Sequence, residues 1–397
     1  MKRLFPLLAL VLLLLPLACY PLLGQRESPD SEELARFPAL RLDAVLDGSF
    51  QEQFEQALKD QFVLHTGAVR LTQGSAAAFK RAYNRAGNLL HGRDPDAGLV
   101  PFGKVYRMDG THWLTNWPYT YDEETAAGYR RKAGELNRFA ARHPDMYTYV
   151  YYCSRAEDLP WFDEVEDSRS YSYSGLLKGL LSEDIRFDEL KFADFSQYRD
   201  SMYRTDHHWN NKGAARGYSD IFRMLDRDFD LGRVRSILYT EDFGDLRWQG
   251  SRARESAASI PEEGLDAFLV DRYQLPACRT YFGEREQAVG LREEYAAGAV
   301  NRELGFDQYL NYYGFESQPI RLEFEGNEHN LLIVGDSFTR AIREVLASHF
   351  GTTVYVNFRI LGQVDLDELV ERYGIDAALF MGQQDAWSGY FLEEGEG

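Results

Sequence analysis

A serine on one tight turn, and an aspartate and two histidines on another, have the types and spacing to do chemistry. The first turn lies in Asn330–Ala341, NLLIVGDSFTRA. Leu331 to Val334 form a short apolar run of the kind that makes a strand buried on both faces. Gly335 breaks that strand, and Phe338–Phe350 carries apolar residues at helical spacing. Strand, glycine turn and helix together lift a serine hydroxyl above the edge of a sheet. They also leave backbone N–H groups at a helix start, where a developing oxyanion can be held. Ser337 is therefore a candidate nucleophile and Asp336 a neighbour of the oxyanion. The same residues also read as a simple helix cap, a role that either Asp336 or Ser337 can fill.

A serine nucleophile needs a base, and the base needs an anionic partner to fix its tautomer. Asp206, His207 and His208 supply both in YRTDHHWNNKGA, residues 203–214. A helical pattern follows from Asn211, with Ala215, Tyr218, Ile221, Phe222 and Leu225 on one face. In an extended segment residues two apart share a side, so Asp206 and His208 would face one site and His207 would turn away and pack. Around a helix start that alternation is less strict. A metal reading of the same three residues is disfavoured, because adjacent histidines on a short turn do not easily reach one ion and no second His/Asp cluster accompanies them.

TDHHWN followed by GA, together with IVGDSF, resembles the DHHW family, which is similar to the alginate O-acetylation proteins and to SGNH-type esterases. The resemblance implies an SGNH-hydrolase-like, flavodoxin-like α/β fold with a parallel sheet and flanking helices. It makes Asp206 the orienting carboxylate, His208 the base and Ser337 the nucleophile, with His207 on the variable position and Trp209 completing the motif. The order, acid and base before nucleophile, is the permuted one of the alginate relatives. Asp336 stands where those relatives often have Thr, which leaves open whether the acyl group goes to a hydroxyl or to water.

The elements that must position these residues are clearest near the end of the chain. Thr352–Phe358 reads as a strand, Leu366–Tyr373 as a helix and Ala377–Met381 as a buried strand. With Leu331–Val334 they make a β-α-β-α-β run, hence a parallel sheet whose ligands bind beyond the strands' carboxyl ends. Ser337, Asn357, Arg359, Gln383 and Gln384 all fall just past strand ends. A side-chain amide there could serve the oxyanion, and Arg359 could hold a carboxylate or a sugar oxygen. Upstream, Leu99–Met108 and Tyr147–Cys153 are strand-like and Tyr121–Arg142 is helical. Residues 37–70 contain an amphipathic helix with Phe50, Phe54, Ala57, Leu58 and Phe62 on one face. Residues 159–200, with Tyr171 and Tyr173, and residues 240–316, with Trp248, Arg252 and Arg254, read as irregular insertions that shape the substrate side.

With 397 residues and 44% hydrophobic composition, the chain can bury a large core. A net charge of −19 excludes a nucleic-acid partner and an electrostatic grip on anionic lipid. Residues 1–24 form a signal anchor: Lys2 and Arg3 precede a leucine-rich run from Leu4 to Leu23, whose helical length of about 30 Å matches a hydrocarbon core. Pro16 and Ala18 before Cys19 could instead mark a cleavage region. Residues 25–36 are a tether, and 37–397 the catalytic domain. The positive-inside rule places the body outside the cytoplasm, on a single-pass membrane protein of the bacterial envelope. Of the three cysteines, Cys153 and Cys278 are either a disulfide or two buried thiols.

These readings converge on a serine acyl-transfer enzyme, an O-acetyltransferase or O-acetylesterase needing no cofactor or metal. Its expected partners are a polysaccharide or cell-wall glycan and a membrane-bound O-acyltransferase as acyl donor. The alternative is a non-catalytic glycan-binding or assembly protein on the same fold.

Overall fold

The computed structural model describes residues 121–155, 172–231, 238–255, 262–270, 278–286, 307–314 and 316–389, with short pieces of the first 115 residues. The anchor, the tether, most of the amphipathic segment at 37–70, and Tyr171 lie outside the described residues. Among the described residues no helix is long and apolar enough to cross a membrane.

The core is an eight-stranded sheet. In chain order its strands are β1 (Tyr147–Cys153), β2 (Ile185–Leu190), β3 (Cys278–Phe282), β4 (Arg285–Glu286), β5 (Ile320–Phe324), β6 (Asn330–Gly335), β7 (Thr352–Asn357) and β8 (Ala377–Gly382). Their spatial order is β2-β1-β8-β6-β7-β5-β3-β4. The five strands from β2 to β7 run parallel. β5, β3 and β4 add an antiparallel edge. The parallel sheet read from the sequence is thus the central part of a mixed one.

β6 sits where the chain changes direction across the sheet. The next strand, β7, pairs on one side of it and the one after, β8, on the other. A crevice opens at the carboxyl end of such a strand, the usual ligand position in α/β sheets. Leu331, Leu332, Ile333 and Val334 are completely buried. Because side chains alternate across a strand, Leu331 and Ile333 join the core on one face, and Leu332 and Val334 that on the other. At about 1.5–3 kcal/mol per buried aliphatic side chain, this strand is a rigid base for whatever follows it.

Helix α1 (Glu123–Arg142) covers one face, begun by Asp122, whose side chain accepts from the Thr125 N–H. Helix α2 (Asn211–Phe229) covers the other, capped by Asn210. Trp209 is buried against α2: a Cβ at Gly217 would collide with its indole, and one at Gly213 with the Ser201 carbonyl. Three further helices are α3 (Gln308–Tyr313), α4 (Arg343–Ala347) and α5 (Leu366–Tyr373).

Several readings change. The helix read over Phe338–Phe350 is a 3-10 turn, Ser337–Ala341, followed by the short α4. Part of 159–200, read as an insertion, supplies the sheet's edge strand β2. Its partial burial gives it no apolar signature to read. Tyr173, read there as shaping the substrate side, is buried and stacks on Tyr129 at 5.0 Å. Residues 240–316 also contain order: a two-stranded ribbon of Leu238–Trp248 and Glu263–Val270, then β3, β4 and α3. Val100–Phe102 and Val105–Arg107 form a small separate sheet with Leu114–Thr115. Cys153 is a buried free thiol, so it forms no disulfide with Cys278.

Candidate active site

The turn after β6 is built around Asp336. Its Oδ1 accepts from the Phe338 N–H at 2.9 Å and its Oδ2 from the Gln383 N–H at 2.8 Å. One carboxylate therefore caps the 3-10 turn and ties it to the end of β8. Burial pushes the Asp336 pKa up, against the pull of the Gln383 and Phe338 amides. Gly335 is required here, since a Cβ would run into the Thr339 hydroxyl. The result sets the Ser337 side chain, partly exposed, at the mouth of the crevice.

Asp206 and His208 reach the same place from a separate turn. Asp206 Oδ1 accepts from the His208 N–H at 3.0 Å and lies 2.5 Å from His208 Nδ1. Its Oδ2 accepts from the Ser251 N–H at 2.7 Å. His208 Nε2 is 2.7 Å from Ser337 Oγ. Burial alone would raise the Asp206 pKa. The charges of His208 and His207, with the bonds from His208 and the Ser251 amide, outweigh it and hold the carboxyl well below its usual range. An ionised Asp206 accepts a hydrogen bond from His208 Nδ1–H, so in the neutral ring Nε2 is the acceptor for the Ser337 hydroxyl. That is the Asp–His–Ser relay needed to activate a serine.

Segments remote in sequence hold this second turn. The Thr205 hydroxyl and N–H both donate to Glu263, and the Gly250 N–H donates to Thr205 Oγ1 at 2.9 Å. The buried Arg252 guanidinium donates to the carbonyls of Leu114 at 3.1 Å and Asp206 at 3.4 Å. The Tyr309 ring lies flat on His208, with centroids 3.8 Å apart and planes 7° apart. Its hydroxyl donates to the Ser337 carbonyl at 3.1 Å, so α3 braces His208 and Ser337 together. The stretch before α3 has no periodicity to read, and Tyr309 escaped the sequence reading, as did Ser251. Trp248 is buried against Tyr203 and does not line the site. The side chain of Arg254 lies outside the described residues.

A cavity of about 240 Å³ opens over Ser337. Asp336, Asn357, Arg359 and Gln383 line it, as do His207 and Arg155. Asn357 commits its amide to Glu316 at 3.3 Å and the Tyr355 hydroxyl at 3.2 Å, so it buttresses the wall. Glu316 also takes Arg340 and Arg343, a buried charged cluster behind the turn. Arg359 is exposed and makes no ion pair among the described residues. Trp209 is not on the cavity and packs edge-on against Phe338 at 5.2 Å. Gln384 is buried next to Gln383 in the chain, but Gln383 is the amide that lines the cavity.

His207 is not turned away. The Asp206 carboxylate folds the segment into a turn, so strand-like alternation fails and the two imidazoles lie against each other, tilted by 37° with centroids 3.8 Å apart. This also brings ligand atoms of Asp206, His207 and His208 within 4.8 Å of one another, closer than adjacent histidines led us to expect. Two of those atoms are already joined through the Asp206–His208 hydrogen bond, and His208 Nε2 faces Ser337.

The fold is SGNH-hydrolase-like. It is similar to Bacillus cereus PatB1, solved with a sulfonyl adduct, at 17% identity and a TM-score of 0.57, covering 74% of this chain and 97% of that one. It is similar also to a DHHW family protein from Eubacterium siraeum, at 15% identity and a TM-score of 0.54, covering 74% and 95%. At these identities the likeness is one of fold, and it agrees with the resemblance carried by TDHHWN and IVGDSF. No protein-family model matches the chain, and no curated protein does.

Proposed function

We propose that this chain is a serine acyl-transfer enzyme, an O-acetyltransferase or O-acetylesterase of a surface glycan, working through an acyl-Ser337 intermediate. The observation that carries this reading is the unbroken line from Asp206 through both nitrogens of His208 to the Ser337 hydroxyl. His208 takes the hydroxyl proton as Ser337 attacks an ester carbonyl, and Asp206 stabilises the imidazolium formed. The Phe338 and Thr339 N–H groups are committed to Asp336, leaving that of Ser337 at the head of the turn for the oxyanion. Gln383 supplies a second donor: its Oε1 accepts from Arg155 at 3.3 Å, while its buried Nε2 has no partner among the described residues. The oxyanion, once formed, satisfies that orphaned amide. His208 then returns the proton to the leaving group and activates the acceptor, a glycan hydroxyl or water.

The polar cavity and its free Arg359 suit a hydroxyl-rich acceptor, and the acidic body has nothing to offer a nucleic acid. The acyl donor is a membrane-bound O-acyltransferase, and residues 1–24 hold the body at the outer face of the cell membrane. Digestion of the body by protease added to intact cells tests this placement, and full protection would contradict it.

Ser337→Ala removes the nucleophile from a partly exposed position and is expected to abolish hydrolysis of 4-nitrophenyl acetate with an unfolding midpoint close to wild type. Full turnover in the variant would exclude Ser337. A wild type that binds glycan yet turns over no ester would favour the non-catalytic binding reading.

A further inference from the structure

His207 has no part in the relay, yet it stands in the cavity over Ser337 with 35% of its side chain exposed. Its Nδ1 is fixed by the Ser251 hydroxyl at 2.7 Å, and Ser251 in turn holds Asp206 through its backbone N–H. The ring lies tilted against His208, centroids 3.8 Å apart. Its Nε2 makes no hydrogen bond among the described residues. An aromatic hydrocarbon would serve that ring contact equally well. The fixed Nδ1 and open Nε2 are features of a group that receives something from the cavity.

We propose that His207 binds the second hydroxyl of a vicinal diol whose first hydroxyl attacks the acyl-enzyme. The proposal rests on the acyl-transfer reading above. Adjacent hydroxyls of a sugar lie about one hydrogen-bond length apart, and the His207 and His208 rings, with centroids 3.8 Å apart, are close enough for one acceptor over Ser337 to meet both. His208 Nε2, freed of Ser337 once the ester has formed, takes the proton of the attacking hydroxyl. Its oxygen bonds the acyl carbon, the Ser337 ester bond breaks, and the proton passes from His208 to Ser337 Oγ. His207 Nε2 meanwhile holds the neighbouring hydroxyl, as acceptor when Nδ1–H donates to Ser251 Oγ and as donor when the Ser251 hydroxyl donates to Nδ1. Water has no second hydroxyl to offer, so this contact favours transfer to a glycan over hydrolysis.

The test uses the full chain with 4-nitrophenyl acetate as donor and two acceptors. One is a methyl glucoside with adjacent hydroxyls free; the other is the same sugar methylated so that no two free hydroxyls adjoin. Wild type is expected to acetylate the first about five- to ten-fold more efficiently, the worth of one neutral hydrogen bond. In His207→Phe, which keeps a ring on His208, that preference falls to near one. In Ser251→Ala, which keeps the amide bond to Asp206, it falls part of the way. Reading a ratio within each variant cancels any general loss of activity. Equal losses on both acceptors in His207→Phe would show a structural role and overturn the proposal. So would a wild type without preference, or one that hydrolyses the donor and transfers to neither sugar. A wild type that neither turns over the donor nor becomes labelled at Ser337 would instead remove the acyl-transfer reading beneath it.

Discussion

Two turns meet in this site, each built on an aspartate that accepts backbone N–H groups, and they are supported in opposite ways. The Ser337 turn hangs from the end of β6 and is tied to the end of β8 by Asp336. The Asp206–His208 turn is clamped by Ser251, Arg252, Glu263 and Tyr309, none of them on the parallel strands. Ser337 is thus positioned by the sheet, and Asp206 and His208 by the irregular segments around it. The two carboxylates differ accordingly. Burial dominates at Asp336 and raises its pKa, whereas histidine charge wins at Asp206 and lowers it.

The largest effects should come from the clamped turn. General-base catalysis supplies typically about 10²–10⁴ in rate, so His208→Ala should lose at least that much in kcat for ester hydrolysis. Asp206→Asn should approach it, since an amide cannot fix the Nδ1–H tautomer in the same way. A His208→Ala enzyme of nearly full activity would break the comparison at its functional half.

A smaller effect is expected at Asp336. An asparagine there keeps one acceptor oxygen for two N–H groups, so Asp336→Asn should cost about 1 kcal/mol in denaturant unfolding. The pH dependence should run oppositely in the two aspartate variants. Asp206 has a folded pKa below its unfolded value of about 3.9, so its contribution is present above that pH and lost as pH falls through the folded value. The stability gap between wild type and Asp206→Asn should therefore shrink in acid. Asp336 has a raised folded pKa, so its contribution is present below about pH 3.9 and lost as pH rises through the folded value. The gap to Asp336→Asn should shrink as pH rises. Parallel slopes in the two variants would remove the distinction between the turns.

Legibility in the sequence followed the same division. Leu331–Val334, Leu366–Tyr373 and Ala377–Met381 show their burial in composition and period, so the sheet around Ser337 could be read directly. Asp206, His208 and Ser337 could be read from residue type and from a family resemblance. Ser251, Glu263 and Tyr309 could not, because each acts through one long-range contact made from a stretch without periodicity. The edge strand β2 was missed because an edge need not be apolar on either face. The contact of His207 with His208 was missed because a side chain–backbone bond at Asp206 overrides strand alternation.

Covalent labelling tests the role of Ser337 most directly. The full chain is treated with an aryl sulfonyl fluoride, and the site and rate of adduct formation are read by peptide mass spectrometry. A relay through Asp206 and His208 predicts one adduct on Ser337, absent in Ser337→Ala and formed far more slowly in His208→Ala. An unlabelled Ser337 in a protein that still turns over 4-nitrophenyl acetate, or labelling indifferent to His208, would contradict it.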